Sequence, residues 1–220
     1  MTSVLEGASE TIKWRLMVEG ARRGAEADGY TLDRVPGRGL SNVWVITKWG
    51  KTRKASIRTT RDRWFAFPPL ENGKKWKTLD EVDVVIVATV DDRHDPKNVE
   101  VYIFPAAEVR KRFDASYAAR VAAGQTMRDN FGMWVALDKK ERNSPADVGS
   151  GIVDHYKPVA VIPIADLLAD ADEEIAEAAS ADESAPDVDN DPPLTIPEAK
   201  RRLALTLGLK PENIKITVEA

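Results

Sequence analysis

At 220 residues the chain can bury one full core and carry a small appendage. It has no cysteine, which excludes disulfides, thiolate zinc sites and thiol nucleophiles together. No run approaches the ~20 apolar residues a membrane span needs, and the opening MTSVLEGASE lacks the regions of a secretory signal, so the expectation is a soluble, cytoplasmic protein with no membrane partner. The net charge of −4 hides an asymmetry: eleven acids and no Lys or Arg lie between Asp166 and Asp191, whereas residues 1–165 sum to +5. The low pI thus belongs to an acidic tether on a mildly basic body.

The N-terminal segment opens with Ser3 three residues before Glu6, the spacing of a capping box. Leu5, Ala8, Ile12 and Leu16 then recur at helical spacing as far as Asp28-Gly29, which predicts one long helix. Its Glu6, Glu10 and Glu19 read either as solvated carboxylates or as contributors to a metal site. A short strand and an irregular loop follow from Tyr30 to Leu40.

In the stretch Ser41 to Phe67, SNVWVITKWGKTRKASIRTTRDRWFAF, Val43, Val45 and Thr47 alternate with Trp44 and Ile46 as in a strand covered on both faces. Lys48, Trp49, Gly50 and Lys51 supply a turn, and the chain returns as the second arm of a hairpin. Between Lys48 and Arg63 there are seven bases against the single acid Asp62. Such a cluster attracts phosphates, with Trp64, Phe65 and Phe67 as candidate base-stacking faces. The alternative is a hairpin edge protected from strand pairing by its charge, with the aromatics in the core. A second basic group, Lys74, Lys75 and Lys77 around Trp76, extends the positive face if its loop folds beside the hairpin.

VDVVIVATV, Val82 to Val90, is apolar almost throughout and reads as a strand buried on both faces. Asp91, Asp92, His94 and Asp95 in the next connection are candidates for a hard cation or, equally in residue type, for an ordinary turn. His155 has no ligand spacing and is assigned no chemistry. A strand through Val99, Val101 and Ile103 ends at Pro105, and Val109, Phe113, Tyr117 and Val121 mark one face of a helix from Ala106 to Gly124. FGMWVAL and KPVAVIPI each predict a further strand, with the loop ERNSPADVGSG between them. Ala165 to Ala179 has the pattern of an amphipathic helix, ASADESAPDVDNDPP that of a linker, and residues 193–220 that of a helix followed by a strand.

The resulting expectation is an α/β fold, a mixed central sheet flanked by helices, with a small C-terminal helix-strand appendage. The domains are residues 1–164, an acidic helix and linker at 165–192, and a module at 193–220 that docks on the body, on a second copy or on another protein.

The order of elements, long helix, strand, strand-turn-strand, buried strand, strand ending in Pro, helix, resembles the PD-(D/E)XK family of restriction-endonuclease-like proteins over about the first 140 residues. The closest local likeness lies in SNVWVITKWGKTRKASIRTT, VDVVIVATV and VEVYIFPAAEV. The resemblance implies an acid on the first hairpin strand and an acid-x-Lys triplet on the second, which in active members hold magnesium and position water. The corresponding positions here are Asn42 and Ser56-Ile57-Arg58, with no carboxylate among them. Neutral oxygens bind Mg²⁺ poorly and arginine does not accept a proton at neutral pH. The resemblance therefore implies a catalytically silent domain, without metal or cofactor, that binds nucleic acid, DNA rather than RNA, through Lys51, Arg53, Lys54, Arg58, Arg61, Arg63 and Trp64. Two alternatives stand beside it: an assembly subunit whose basic face docks on an acidic partner or on its own tether, and a metal-dependent nuclease whose carboxylates have moved to Asp33, Glu71, Asp80 or Asp83.

Overall fold

The computed structural model describes residues 10–35, 43–141 and 144–170, all within one compact unit, Met1–Asp172. The capping box at Ser3, Asn42, the linker and the C-terminal module lie outside the described residues, as does most of the acidic tether. Helix α1 (Glu10–Ala27) leads into strand β1 (Thr31–Arg34), then the hairpin of β2 (Val43–Lys48) and β3 (Lys51–Thr60). Three short strands follow, β4 (Trp64–Phe67), β5 (Pro69–Leu70) and β6 (Lys75–Trp76), before β7 (Val84–Val90), β8 (Asn98–Pro105), helix α2 (Ala106–Ala122), β9 (Met133–Ala136) and β10 (Ala160–Pro163). Residues 164–170 are helical up to the edge of the described part. No helix among the described residues is long and apolar enough to cross a membrane.

The class is mixed α/β, as expected. Six strands form one sheet in the order β1-β2-β3-β7-β8-β10, and every pairing is antiparallel except β3 with β7. β7 is buried at all seven positions, because both faces of the sheet are covered. On one face Ile46, Ile57, Ile86, Ala88, Val99 and Val101 meet Leu16, Met17, Ala21 and Ala25 of α1. On the other, Val85, Val87, Tyr102 and Phe104 meet Val109 and Phe113 of α2 together with Phe65, Phe67 and Trp76. Phe113 is the hub of this second core, with edge-to-face contacts to Phe65, Phe67 and Trp76 at centroid distances of 5.3, 5.4 and 5.2 Å.

Helix α1 lies unusually close to the sheet. A Cβ on Gly24 would stand 2.6 Å from Val101, and one on Gly20 would stand 3.1 Å from Val99. Glycines four residues apart face the same way along a helix, so this pair makes a groove for two valines of β8. The helix stops where Asp28-Gly29 predicts, with Gly29 at φ 85° and Tyr30 N donating to Ala25 O.

Several details depart from the sequence reading. The Pro68-Pro69 segment is a two-stranded ribbon, β5 with β6. WFAF and MWVA pair as a second small antiparallel sheet, β4 with β9, that closes over the α2 side. In α2, Val121 is exposed and Ser116 is buried instead, so the apolar stripe ends a turn early. Glu19 accepts from both Arg22 and Arg23, and the hydrogen bond from Arg22 is the chief reason its carboxyl titrates below the ordinary range; it is an ion-pair anchor on α1.

Gly24→Ala is expected to destabilise the domain by about 1–3 kcal/mol through overpacking on Val101, although the same change gains about 1 kcal/mol in an unpacked helix. Urea unfolding reads the difference; a stability gain would show that the close approach is not rigid.

Candidate nucleic-acid interface

The basic cluster that is continuous in sequence is divided in space. β3 runs ten residues from Lys51 to Thr60, and at the rise of a strand its two ends lie roughly 30 Å apart. The cations of the cluster therefore occupy three environments.

At the first end, β2 and β3 overhang the covering layers: the first four residues of β3 are exposed, and burial begins at Ala55. Lys51, Arg53 and Lys54 are exposed there and make no ion pair among the described residues. The two-residue turn has positive φ at both positions, 51° at Trp49 and 72° at Gly50, the pattern of a type I′ hairpin that Asn-Gly satisfies best. A tryptophan in the left-handed region is costly, and this one is also 89% exposed. The ammonium of Lys48 lies 4.7 Å from its ring centroid, and that same lysine is bound to Asp28 Oδ2 at 2.9 Å.

In the middle of β3, Ser56 and Arg58 share the face that looks toward α2, as alternation requires. Ser56 is fully buried, opposite Val43 and beside Val85; its Oγ has no partner among the described residues. Arg58 is half-buried, with its guanidinium 4.4 Å from the Phe67 ring centroid; Nε donates to Ala66 O at 3.3 Å and Nη1 to Ile57 O at 3.1 Å. No acid among the described residues pairs with it. Burial pushes its pKa down to about 10. The expectation that Arg58 reaches phosphates is thus corrected: β4 packs against it, and main-chain carbonyls take its Nε and one Nη1 donor.

At the far end the chain turns sharply through Arg61, Asp62 and Arg63. Asp62 Oδ1 accepts from Thr60 Oγ1 at 2.8 Å and from Trp64 N at 3.2 Å. Arg63, at φ 63°, turns inward to bind Asp138 Oδ2 and Glu100 Oε2, each at 2.8 Å. Desolvation opposes its charge, but these hydrogen bonds outweigh it and raise its pKa. Arg63 is therefore a structural cation rather than a ligand for phosphate, a second correction. Arg61 and Trp64 instead line an open cleft of about 630 Å³ with Thr59, Thr60, Asp62, Arg93, His94 and Trp134. Of these, Arg93, His94 and Trp134 were not among the residues the sequence singled out for nucleic acid; only their arrival at the carboxyl ends of β3 and β7 unites them. Of the three aromatics named with the basic run, Phe65 and Phe67 are core.

Among the described residues the acids do not assemble a metal centre. Glu71 binds Lys75, Asp80 takes Arg110 and Trp76 N, Asp83 accepts from Lys54 N, and Asp33 is exposed on β1. In the loop after β7, Asp91 accepts from the main-chain nitrogens of Asp92, Lys97 and Asn98, and Asp92 accepts from those of His94 and Asp95. These are the bonds of a tight turn. Among the described residues no three acids or histidines gather at metal-binding distance.

Because the folded pKa of Arg58 is depressed, its desolvation penalty is complete at neutral pH, where both states carry the charge, and is relieved only as pH rises through about 10. Arg58→Met is accordingly expected to stabilise the domain by about 1–3 kcal/mol and to leave nucleic-acid affinity unchanged; thermal unfolding and a binding titration of the same variant check both halves. Compared with protein-family models, with curated proteins and with solved structures, the chain finds no match.

Proposed function

We propose that this domain binds nucleic acid without cleaving it, through the β2–β3 hairpin, on a restriction-endonuclease-like core. The observation that carries the reading is Trp49, an exposed ring on a turn whose backbone disfavours it, flanked by Lys51, Arg53 and Lys54, whose side chains make no ion pair among the described residues. A residue that costs folding energy twice, once in backbone strain and once in apolar exposure, is what a binding surface retains. The cations meet phosphates and the indole stacks on a base.

The family likeness rests on element order: the opening helix, the hairpin, a buried strand beside it and a strand that passes through Pro105 into a helix. Silence at the catalytic positions follows from chemistry: a buried serine and a half-buried arginine without a carboxylate cannot hold magnesium. DNA is the expected polymer.

Fluorescence anisotropy with labelled duplex and single-stranded DNA at low salt tests this. Replacing Lys51, Arg53 and Lys54 together by Glu is expected to abolish micromolar binding. For the native protein, affinity falls with salt at a slope of about 0.9 per phosphate contact on duplex. No binding at micromolar protein sinks the proposal, and Mg²⁺- or Mn²⁺-dependent cleavage sinks its silent part.

Trp49→Asn separates binding from folding. It is expected to stabilise the hairpin by about 1 kcal/mol, since Asn accepts the left-handed region, and to weaken single-stranded DNA binding by about 1–3 kcal/mol through loss of the stack. A variant that gains stability with no loss of affinity would assign Trp49 to neither task.

A further inference from the structure

The cleft at the other end of β3 has its own chemistry. It opens where β3 and β7, the parallel pair, deliver their carboxyl ends, the position at which α/β sheets take ligands. Its cations are Arg61 on the turn after β3 and Arg93 on the loop after β7, neither ion-paired among the described residues. The Nε of Arg61 is enclosed and has no hydrogen-bond acceptor among the described residues, so the guanidinium charge is not matched by a carboxylate there.

The loop that carries Arg93 and His94 is stiff. Asp92 Oδ1 holds His94 N at 2.7 Å and Asp95 N at 2.8 Å, and Asp91 Oδ2 holds the Asn98 side-chain amide at 2.7 Å. These two acids are thereby spent on the turn. Asp62, the one acid lining the cleft, is likewise engaged by Thr60 and Trp64 N. The lining keeps a positive balance.

The cleft lining also includes two indoles, Trp64 and Trp134. Trp134 is 45% exposed yet braced: Phe131 meets it edge to face at 6.1 Å, and its Cη2 lies so near Gly132 that an added Cβ would stand 2.8 Å away. Trp64 shares the cleft with the Lys140 ammonium 5.7 Å from its ring centroid. An inorganic anion has no use for a braced indole, and a neutral sugar or apolar ligand has none for two arginines. A flat ring joined to a phosphate uses both, and the cleft volume lies in the range of small-ligand sites.

We propose that this cleft binds a nucleoside phosphate, its base against Trp134 and its phosphate on Arg61 and Arg93. The same chemistry comes from a free nucleotide or from the phosphorylated end of a strand. The site is separate from the hairpin and stands or falls without it.

Calorimetry with adenosine 5′-monophosphate, adenosine and inorganic phosphate tests the cleft, and 5′-phosphorylated against 5′-hydroxyl octathymidylate identifies the source. The nucleotide is expected to bind at least about tenfold more tightly than adenosine or phosphate alone, a charge-assisted contact in energy. Arg93→Ala and Trp134→Ala, both at exposed positions, are each expected to weaken it at least about fivefold, the low end for a base stack. The hairpin triple Glu variant is expected to bind it normally. A fivefold or larger preference for the phosphorylated oligonucleotide assigns the ligand to a strand end, and equal binding of the two oligonucleotides assigns it to the free nucleotide. The proposal is overturned if the nucleotide binds no better than adenosine and phosphate, or if either cleft variant binds it as the native protein does.

Discussion

Two parallel neighbours cannot be joined by a tight turn, and this constraint shapes most of the domain. β3 ends at Thr60 and β7 begins at Val84, paired in parallel with Ala55 at the opposite end. The chain must therefore travel back the length of the sheet before it can start β7. It does so over the α2 face as β4, β5 and β6, with a single 3-10 turn at Leu79–Glu81 and no α-helix in the crossover, and returns through Asp83, whose N–H donates to Lys54 O. That return lays Phe65, Phe67 and Trp76 on Val85 and Val87 and builds the second core. It also covers Arg58 and forces the reversal at Arg61–Arg63 that forms one wall of the cleft.

The same constraint explains which cations remain available. A crossover pressed on a sheet encloses whatever side chains point at it, so the arginine at the centre of β3 is desolvated and the arginine that closes the turn is drawn into a pair of carboxylates. Elsewhere Arg22 and Arg23 are held by Glu19, Lys48 by Asp28, Arg110 by Asp80 and Arg112 by Glu108. Charge in the sequence is thus a poor measure of charge offered to a ligand. Positions beyond the covered zone, Lys51 to Lys54 at one end and Arg61 with Arg93 at the other, keep theirs.

Long β-branched runs were legible because their burial is a property of the run itself: VVIVATV needs two covered faces whatever its neighbours are. The strand over β2 was legible too, although the two covered faces its pattern implies are not there: only Ile46 is buried and the other five residues are half-buried; the stop at Gly29 was legible as well. The β4–β9 sheet was not, because two four-residue strands carry little pattern and are separated by β5 to β8 and α2. The cleft was invisible for a related reason: Arg61, His94 and Trp134 meet only once the crossover is closed. The basic cluster was seen but misjudged as a patch, since seven bases between Lys48 and Arg63 look contiguous in sequence while β3 and the turns at its two ends spread them along its length. Alternation did hold the clue to Arg58, which shares a face with buried Ser56.

The two ends of β3 also differ in how they meet a ligand. The hairpin tip is exposed, its indole attended by the Lys48 ammonium and flanked by cations, a shape that on the proposed reading would touch an extended polymer without selecting a particular residue. The cleft is concave, its indole braced and its loop tied down, a shape that selects one group at a time. Roughly 30 Å of strand separates them, close to nine base-pair steps at 3.4 Å each. Were both proposals to hold, a duplex shorter than that would meet one end or the other, and joint occupancy, the condition for any avidity between them, would require a chain long enough to bridge that distance.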